Sequence, residues 1–188
     1  CLADPDVTVG VIDLQSELLE LTEIYNTLVE MADAGFENDV DVLSLADYQA
    51  LGLNGLDTLS DPDLSVGFLN TVMDVQGFAR IDEAAELQAF ADAVIALRNT
   101  VANGMEATPG ITVTQLQLLG ITDATDANLT VLQTVIARDA AVVDNNIATL
   151  AELQSVTSAG VTALDTLSTR STCEADAANT PEAAASAA

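Results

Sequence analysis

The chain has 188 residues, of which 30 are acidic and 4 are basic, so its formal net charge at pH 7 is −26. All basic residues are arginines and the sequence contains no histidine, which excludes a Ser-His-Asp triad, a Cys-His pair and a His-ligated zinc site. The arginines are scattered and form no basic patch, so we expect no nucleic-acid partner.

Hydrophobic residues make up 49% of the chain and are mostly Ala, Leu and Val, which predicts an all-α fold with an aliphatic core. No apolar run is long enough to predict a transmembrane segment. The acidic surface fits either a protein exposed to brine or seawater or an ordinary secreted acidic protein. We expect no cofactor and no more than weak binding of divalent cations at the surface.

The first predicted element is a long helix over residues 14–35, preceded by an N-terminal arm over residues 1–13. Its apolar residues are spaced by alternating steps of four and three, which is the seam of a packed helix. We interpret this seam as an assembly surface, made of Leu14, Leu18, Leu21, Tyr25 and Leu28.

A first three-helix unit is predicted over residues 36–108. An acidic linker opens it, and Ser44 can cap a short helix that Gly52 ends. Asp61 and Pro62 are a typical cap and first residue of a second helix. A third, longer helix is predicted from about Asp82 to Asn103.

A second unit is predicted over residues 109–170. Thr112 can cap its short helix, which ends at Gly120, and Asp126 can cap the next helix. The last helix carries apolar residues from Ile147 to Leu167, and Gly160 inside it is a position for close packing or a kink. An Ala-rich acidic tail over residues 171–188 follows, and by itself it should be disordered.

The two predicted units resemble each other in sequence, so we infer an internal repeat of roughly 65 residues. The segments 43–53 and 111–121 align, as do 69–73 and 132–136, and the tetrapeptide Ala-Glu-Leu-Gln occurs at both 85–88 and 151–154. Leu21, Tyr25 and Leu28 also align with Phe90, Val94 and Leu97. The N-terminal helix is therefore interpreted as a third copy of the long helix, without its two shorter partners.

The two cysteines, Cys1 and Cys173, stand near opposite ends of the chain. Three interpretations are open. They could form a disulfide within one chain or between neighbours, Cys1 could be the lipidated first residue of a processed lipoprotein, or both could be free thiols.

The segment from Ile111 to Thr122, with Asn128-Leu129 and the later Ala-Glu-Leu-Gln, resembles the small three-helix repeats of large acidic surface proteins and adhesins of marine bacteria. These repeats are broadly similar to albumin-binding-like helical modules. The resemblance covers about residues 43–170. It implies an extracellular structural or adhesive role and carries no catalytic residues.

Paired aspartates such as Asp61 and Asp63 lack the converging oxygens and Gly-containing loop of a calcium site, so we expect no metal site. No nucleophile or catalytic pair stands out either, and an enzyme is not expected. The sequence therefore predicts an exported structural subunit that self-assembles into an extracellular filament or surface array as a homo-polymer. The alternative is a monomeric cell-surface lipoprotein or adhesin module that binds a protein or glycan.

Overall fold

The computed structural model describes residues 6–32, 42–77, 80–143 and 147–178, and the side chains of 6–15, 105, 139–143 and 172–178 lie outside this description. The described residues form an all-α fold without β-strands. The helices are α1 (Asp6–Met31), α2 (Leu45–Ala50), α3 (Pro62–Asp74), α4 (Ala84–Asn103), α5 (Val113–Leu118), α6 (Leu129–Val143) and α7 (Leu150–Ala178).

The two short helices, α2 and α5, begin and end in the same way. Ser44 and Asp47 form a capping box at the start of α2, and Thr112 and Gln115 form one at the start of α5. Gly52 and Gly120 follow the two helices with φ values of 91° and 88°, a conformation that glycine adopts without steric cost. The predicted caps and stops of both short helices are confirmed.

The middle helices, α3 and α6, each donate a side-chain hydrogen bond to the residue that precedes the N-cap of the short helix before them. Asn70 on α3 donates from Nδ2 to the Leu43 carbonyl over 2.9 Å, and Gln133 on α6 donates from Nε2 to the Ile111 carbonyl over 2.8 Å. The Tyr48 hydroxyl also donates to Asn70 Oδ1 over 2.7 Å. Burial, with a smaller contribution from Asp47, raises the pKa of the Tyr48 phenol far above its ordinary value.

The capping predictions for α3 and α6 have different outcomes. Asp61 accepts from the Leu64 amide over 3.0 Å, which confirms it as the N-cap of α3. The prediction that Asp126 caps α6 is wrong. The helix begins at Leu129, after a turn in which Asn128 Oδ1 accepts from the Thr125 amide over 2.8 Å and Asn128 Nδ2 donates to the Asp123 carbonyl over 2.8 Å.

The long helix α4 lies at the centre of the fold and packs mainly against α3, α5 and α6. Leu87, Phe90, Val94 and Leu97 on this helix are all buried. The α7 helix packs mainly against α6 and, at its start, against α3. A Cβ added at Gly160 would lie 2.9 Å from Val135 Cγ2, so α6 and α7 approach closely at this point. This outcome confirms the close-packing prediction for Gly160.

Arg98 on α4 joins three parts of the fold. Its Nη1 donates to the Ile147 carbonyl over 3.1 Å, and its Nη2 donates to the Leu64 carbonyl over 3.2 Å. The guanidinium carbon lies 5.3 Å from the centre of the Phe68 ring, in the range of a cation–π contact. Burial lowers the pKa of Arg98 to about 10 against the opposing charges of Asp61 and Glu152, so the side chain stays protonated at neutral pH.

Four predicted boundaries differ from the structure. The first helix begins at Asp6, so residues 6–13 of the predicted arm are helical. Ile147 is not part of the last helix, because it precedes Leu150 and its φ of 51° is not helical. The last helix extends to Ala178, beyond the predicted end of the second unit and into the predicted tail. The first helix ends at Met31, before the predicted end at residue 35. The acidic linker that opens the first predicted unit, over residues 37–41, and the tail beyond Ala178 lie outside the described residues.

Candidate interaction surface

The middle of α1 is exposed to solvent. Every side chain over residues 16–23 is exposed, and we call this segment the N-terminal projection. It carries large apolar side chains, since Leu18 is 65% exposed, Leu19 is 66% exposed and Leu21 is 39% exposed. Tyr25, one turn further along the predicted seam, is 43% exposed. A row of apolar side chains in water is unusual for a small acidic chain and is typical of a contact surface.

The last turns of α1 contribute to the core. Leu28 is 1% exposed, and Ile24, Met31 and Ala32 are buried with it where α1 packs against α2 and α3. The predicted assembly residues are therefore divided. Leu18, Leu21 and Tyr25 are exposed, whereas Leu28 contacts the core of its own chain. Leu14 lies on the helix backbone, but its side chain is outside the description.

An apolar groove continues the exposed row onto α2. It lies between α1 and the end of α2, and it is lined by Leu21, Thr22, Tyr25, Ala50 and Leu51. A groove with these residues can accept aliphatic side chains from another helix. Ala50 and Leu51 were not predicted as part of a surface. Their only sequence signal was their place at the end of the short helix that follows α1.

A second groove on the other side of α1 is acidic. Glu20, Glu23 and Asp47 line it together with Ile24, Thr27, Val42 and Leu43. Close carboxylates raise the local concentration of cations, but this groove shows no converging ligand set. Over the side chains that the structure describes, no group of three or more acidic or cysteine residues is arranged to hold a metal ion.

The last part of α7 is also exposed to solvent. All side chains over residues 165–171 are exposed, and we call this segment the C-terminal projection. Leu167 is 65% exposed, and Leu164, one turn earlier, is half-buried. Arg170 is exposed beside Leu167. In the sequence, Leu164 and Leu167 are among the apolar residues of the last predicted helix, and no surface is predicted there. Their exposure depends on packing, because no described helix follows α7 to cover them, and residue spacing does not report this.

A small polar groove lies where α7 passes the turn after α5. Its lining includes Gly120, Asp123, Gln154 and Ser158, and it holds no buried charged side chain. No helix in the described ranges is long and apolar enough to cross a membrane. Among the described surfaces, the exposed apolar row of α1 is therefore the best candidate for a protein contact.

No family model, curated protein or solved structure was found that matches this chain. The resemblance to three-helix repeats of bacterial surface proteins therefore stays an interpretation of the sequence alone. Conclusions about function have to rest on the surface described above.

The side chains of both cysteines lie outside the description. Cys1 lies outside the described residues, and Cys173 lies on the α7 backbone with its side chain outside the description. The disulfide, the lipid anchor and the free thiols all remain predictions.

Proposed function

We propose that this chain is a structural subunit that self-assembles into an extracellular filament or surface array. One observation carries the proposal, namely the exposed apolar row of Leu18, Leu21 and Tyr25 on α1. A helix segment of this length is marginal in water without a packing partner. A contact that covers the row would remove apolar surface from water and stabilise this part of the helix.

The architecture that we propose for assembly is a long helix followed by two three-helix units, α2–α4 and α5–α7. The matched capping boxes of α2 and α5 support it, as do the matched hydrogen bonds of Asn70 and Gln133. Units of this kind stack through similar faces, and a stack leaves uncovered faces at its two ends. A head-to-tail contact between such ends produces a filament when the rotation between copies does not close.

Charge sets the conditions for this assembly. A net charge of −26 makes copies repel one another at low ionic strength, and the repulsion is screened within a few ångströms at high salt. We therefore propose that assembly needs salt or divalent cations, which screen surface carboxylates such as those of Glu20, Glu23 and Asp47. The extracellular location and a disulfide involving Cys1 or Cys173 belong to the same proposal and rest on the sequence.

The test compares the purified wild-type chain with a Leu18→Glu, Leu21→Glu double variant by sedimentation velocity and negative-stain microscopy, in low and in high salt. We expect polymers of the wild-type chain in high salt and monomers of the variant in both. The substituted side chains are exposed, so circular dichroism should show folded protein in each case.

Val75→Glu is the matched control, because Val75 is 45% exposed at the end of α3 and outside the apolar row. Its polymers should equal those of the wild-type chain. A wild-type chain that stays monomeric under every salt condition would contradict the proposal. The monomeric binding module would then be the better hypothesis, with the same apolar row as its contact surface.

A further inference from the structure

The row on α1 corresponds to positions that another helix covers elsewhere in the chain. By the sequence alignment, Leu18, Leu21 and Tyr25 match Leu87, Phe90 and Val94 of α4, which are at most 3% exposed. In α7 the position matching Tyr25 and Val94 is Gly160, and it faces Val135 on the preceding helix, α6. The exposed row of α1 is therefore the place where a preceding helix would pack, next to the groove that Leu21 and Tyr25 form with Ala50 and Leu51.

The last described helix, α7, also has exposed positions whose counterparts in α4 are buried. By the same alignment, Ala93, Leu97 and Thr100 of α4 are buried, whereas their α7 counterparts Ala159, Ala163 and Thr166 are exposed. Within the described residues, no helix after α7 covers the C-terminal projection. It offers Leu164 and Leu167 as an apolar ridge.

Charge favours the pairing of the two unlike ends over the pairing of two α1 helices. The α1 helix carries acidic residues, among them Glu17, Glu20 and Glu23, and no basic residue. Two copies of α1 in contact would therefore bring together only negative charges. The C-terminal projection carries one acidic and one basic residue, Asp165 and Arg170, so its net charge is zero and it can lie beside those glutamates with less repulsion.

We propose that the C-terminal projection of α7 from a second copy packs on the N-terminal projection of α1, with Leu164 and Leu167 against Leu18, Leu21 and Tyr25. This contact rests on the proposed self-assembly and gives it a direction. It is heterologous, because each copy uses one surface at each end, and it therefore extends into a chain of copies.

The polarity of the contact can be tested with two variants that each block one end. Leu21→Glu blocks the α1 end, and Leu167→Glu blocks the α7 end. We expect each variant alone to sediment as a monomer in high salt. An equimolar mixture should form dimers and no longer species, because each partner supplies the intact end that the other lacks. Association of each variant with itself should be weakened about tenfold or more.

Each other outcome has a defined meaning. Polymers of Leu167→Glu equal to those of the wild-type chain would overturn the head-to-tail contact and leave self-assembly standing. So would a mixture of the two variants that stays monomeric while the wild-type chain polymerises. A wild-type chain that never polymerises overturns both proposals. Val75→Glu should behave as the wild-type chain in every mixture.

A second measurement does not depend on charge at the contact. In high salt, a Leu21→Cys copy and a Leu167→Cys copy are mixed with a flexible bismaleimide, both in a Cys1→Ser, Cys173→Ser background that removes the proposed disulfide and keeps the apolar contact between the projections. We expect cross-links between unlike copies to exceed those between like copies about tenfold, since the contact raises the effective concentration of that pair only. Predominant cross-linking of Leu21→Cys copies with one another would overturn the proposal in favour of a symmetric α1 contact.

Discussion

Two helices of this protein carry the same apolar spacing and have opposite environments. In α4, Leu87, Phe90 and Val94 are almost completely buried, because α3, α5 and α6 surround the helix. In α1, the matching Leu18, Leu21 and Tyr25 are between 39% and 65% exposed, and among the described residues α1 packs mainly against α2 and α3, near the buried Ile24, Leu28 and Met31.

The difference shows what an amphipathic pattern specifies. The pattern records that a face is to be buried, but it does not record which helix will bury it. For α4 the covering helices are in the same chain. For α1 they are absent from the described residues, and we assign the role to a second copy. If this account is correct, substitutions in the buried row of α4 should mainly lower the free energy of unfolding, and substitutions in the exposed row of α1 should mainly weaken association.

The largest expected difference concerns Phe90 and Leu21, which match in the alignment. Phe90→Ala should lower the free energy of unfolding by about 3–5 kcal/mol, because it leaves a cavity in a packed core. Leu21→Ala should lower it by less than about 1 kcal/mol, because much of the side chain is already in water. Urea denaturation in dilute, low-salt solution, where the chain should be monomeric, measures both. Similar losses for the two variants would show that α1 is covered within its own chain.

The next prediction tests how tightly α7 is covered at the position that matches Tyr25. Gly160→Ala should destabilise the fold by about 1–3 kcal/mol, because its Cβ would lie 2.9 Å from the stiff Val135 side chain. Gly67→Ala is the matched control, because Gly67 lies inside α3 with no atom within 4 Å of an added Cβ. The control should stabilise the fold by about 0.5–1 kcal/mol through the helix preference of alanine. A stabilising Gly160→Ala would contradict the close α6–α7 contact.

Local signals in the sequence were sufficient for most of the fold. Ser44, Asp61 and Thr112 were predicted as helix caps because an N-cap is a short-range hydrogen bond between neighbouring residues. The prediction failed at Asp126, where Asn128 competes for the same turn by bonding Thr125 and Asp123. The start of α1 at Asp6 and the end of α7 at Ala178 carry no strong stop or start signal in the sequence.

The surface was predictable only in part, for a physical reason. Spacing identified the seam of α1, but it could not separate the exposed Leu21 from the buried Leu28, since both lie on one face of one helix. That division depends on where α2 and α3 end in space. The junction at Arg98 was also missed, because its carbonyl partners, Leu64 and Ile147, are 34 and 49 residues away in the sequence.

A third prediction compares the two short helices, α2 and α5. Tyr48 on α2 donates a hydrogen bond from its buried hydroxyl to Asn70. The residue that matches Tyr48 on α5 is Leu116, which has no hydroxyl. Burial raises the pKa of Tyr48, so the folded state holds the phenolic proton longer than the unfolded state as the pH rises. The stability from this proton is complete below about pH 10 and is lost above it, by about 1.4 kcal/mol per pH unit.

Tyr48→Phe cannot lose this proton, so the comparison of the two proteins isolates the effect. Below pH 10 the variant should be less stable than the wild-type chain by about 1 kcal/mol, because the hydrogen bond to Asn70 is gone. Above pH 10 the difference should shrink and then reverse. Urea denaturation over a series of alkaline pH values measures it. Parallel pH profiles would contradict the buried, protonated phenol.

The smallest expected effect compares two glutamines from the repeated tetrapeptide. Gln88 on α4 accepts from the Asn54 amide over 3.0 Å and donates to the Asn54 carbonyl over 3.2 Å, so it clamps the turn after α2. Gln154 on α7 is exposed, and its Nε2 lies 3.8 Å from where a Cβ at Gly120 would be. Gln88→Ala should therefore cost about 1 kcal/mol, and Gln154→Ala less than about 0.5 kcal/mol.

Urea denaturation of the two alanine variants in low salt tests this pair, and high salt extends the test to assembly. If the α7 end is covered by a neighbouring copy only beyond Val161, the small effect of Gln154→Ala should be the same in both conditions. A loss that grows with polymer formation would mean that the contact between copies reaches back to the turn after α5. The interface would then be larger than the two projections, and Gln154 would become the counterpart of Gln88 only in the assembled state.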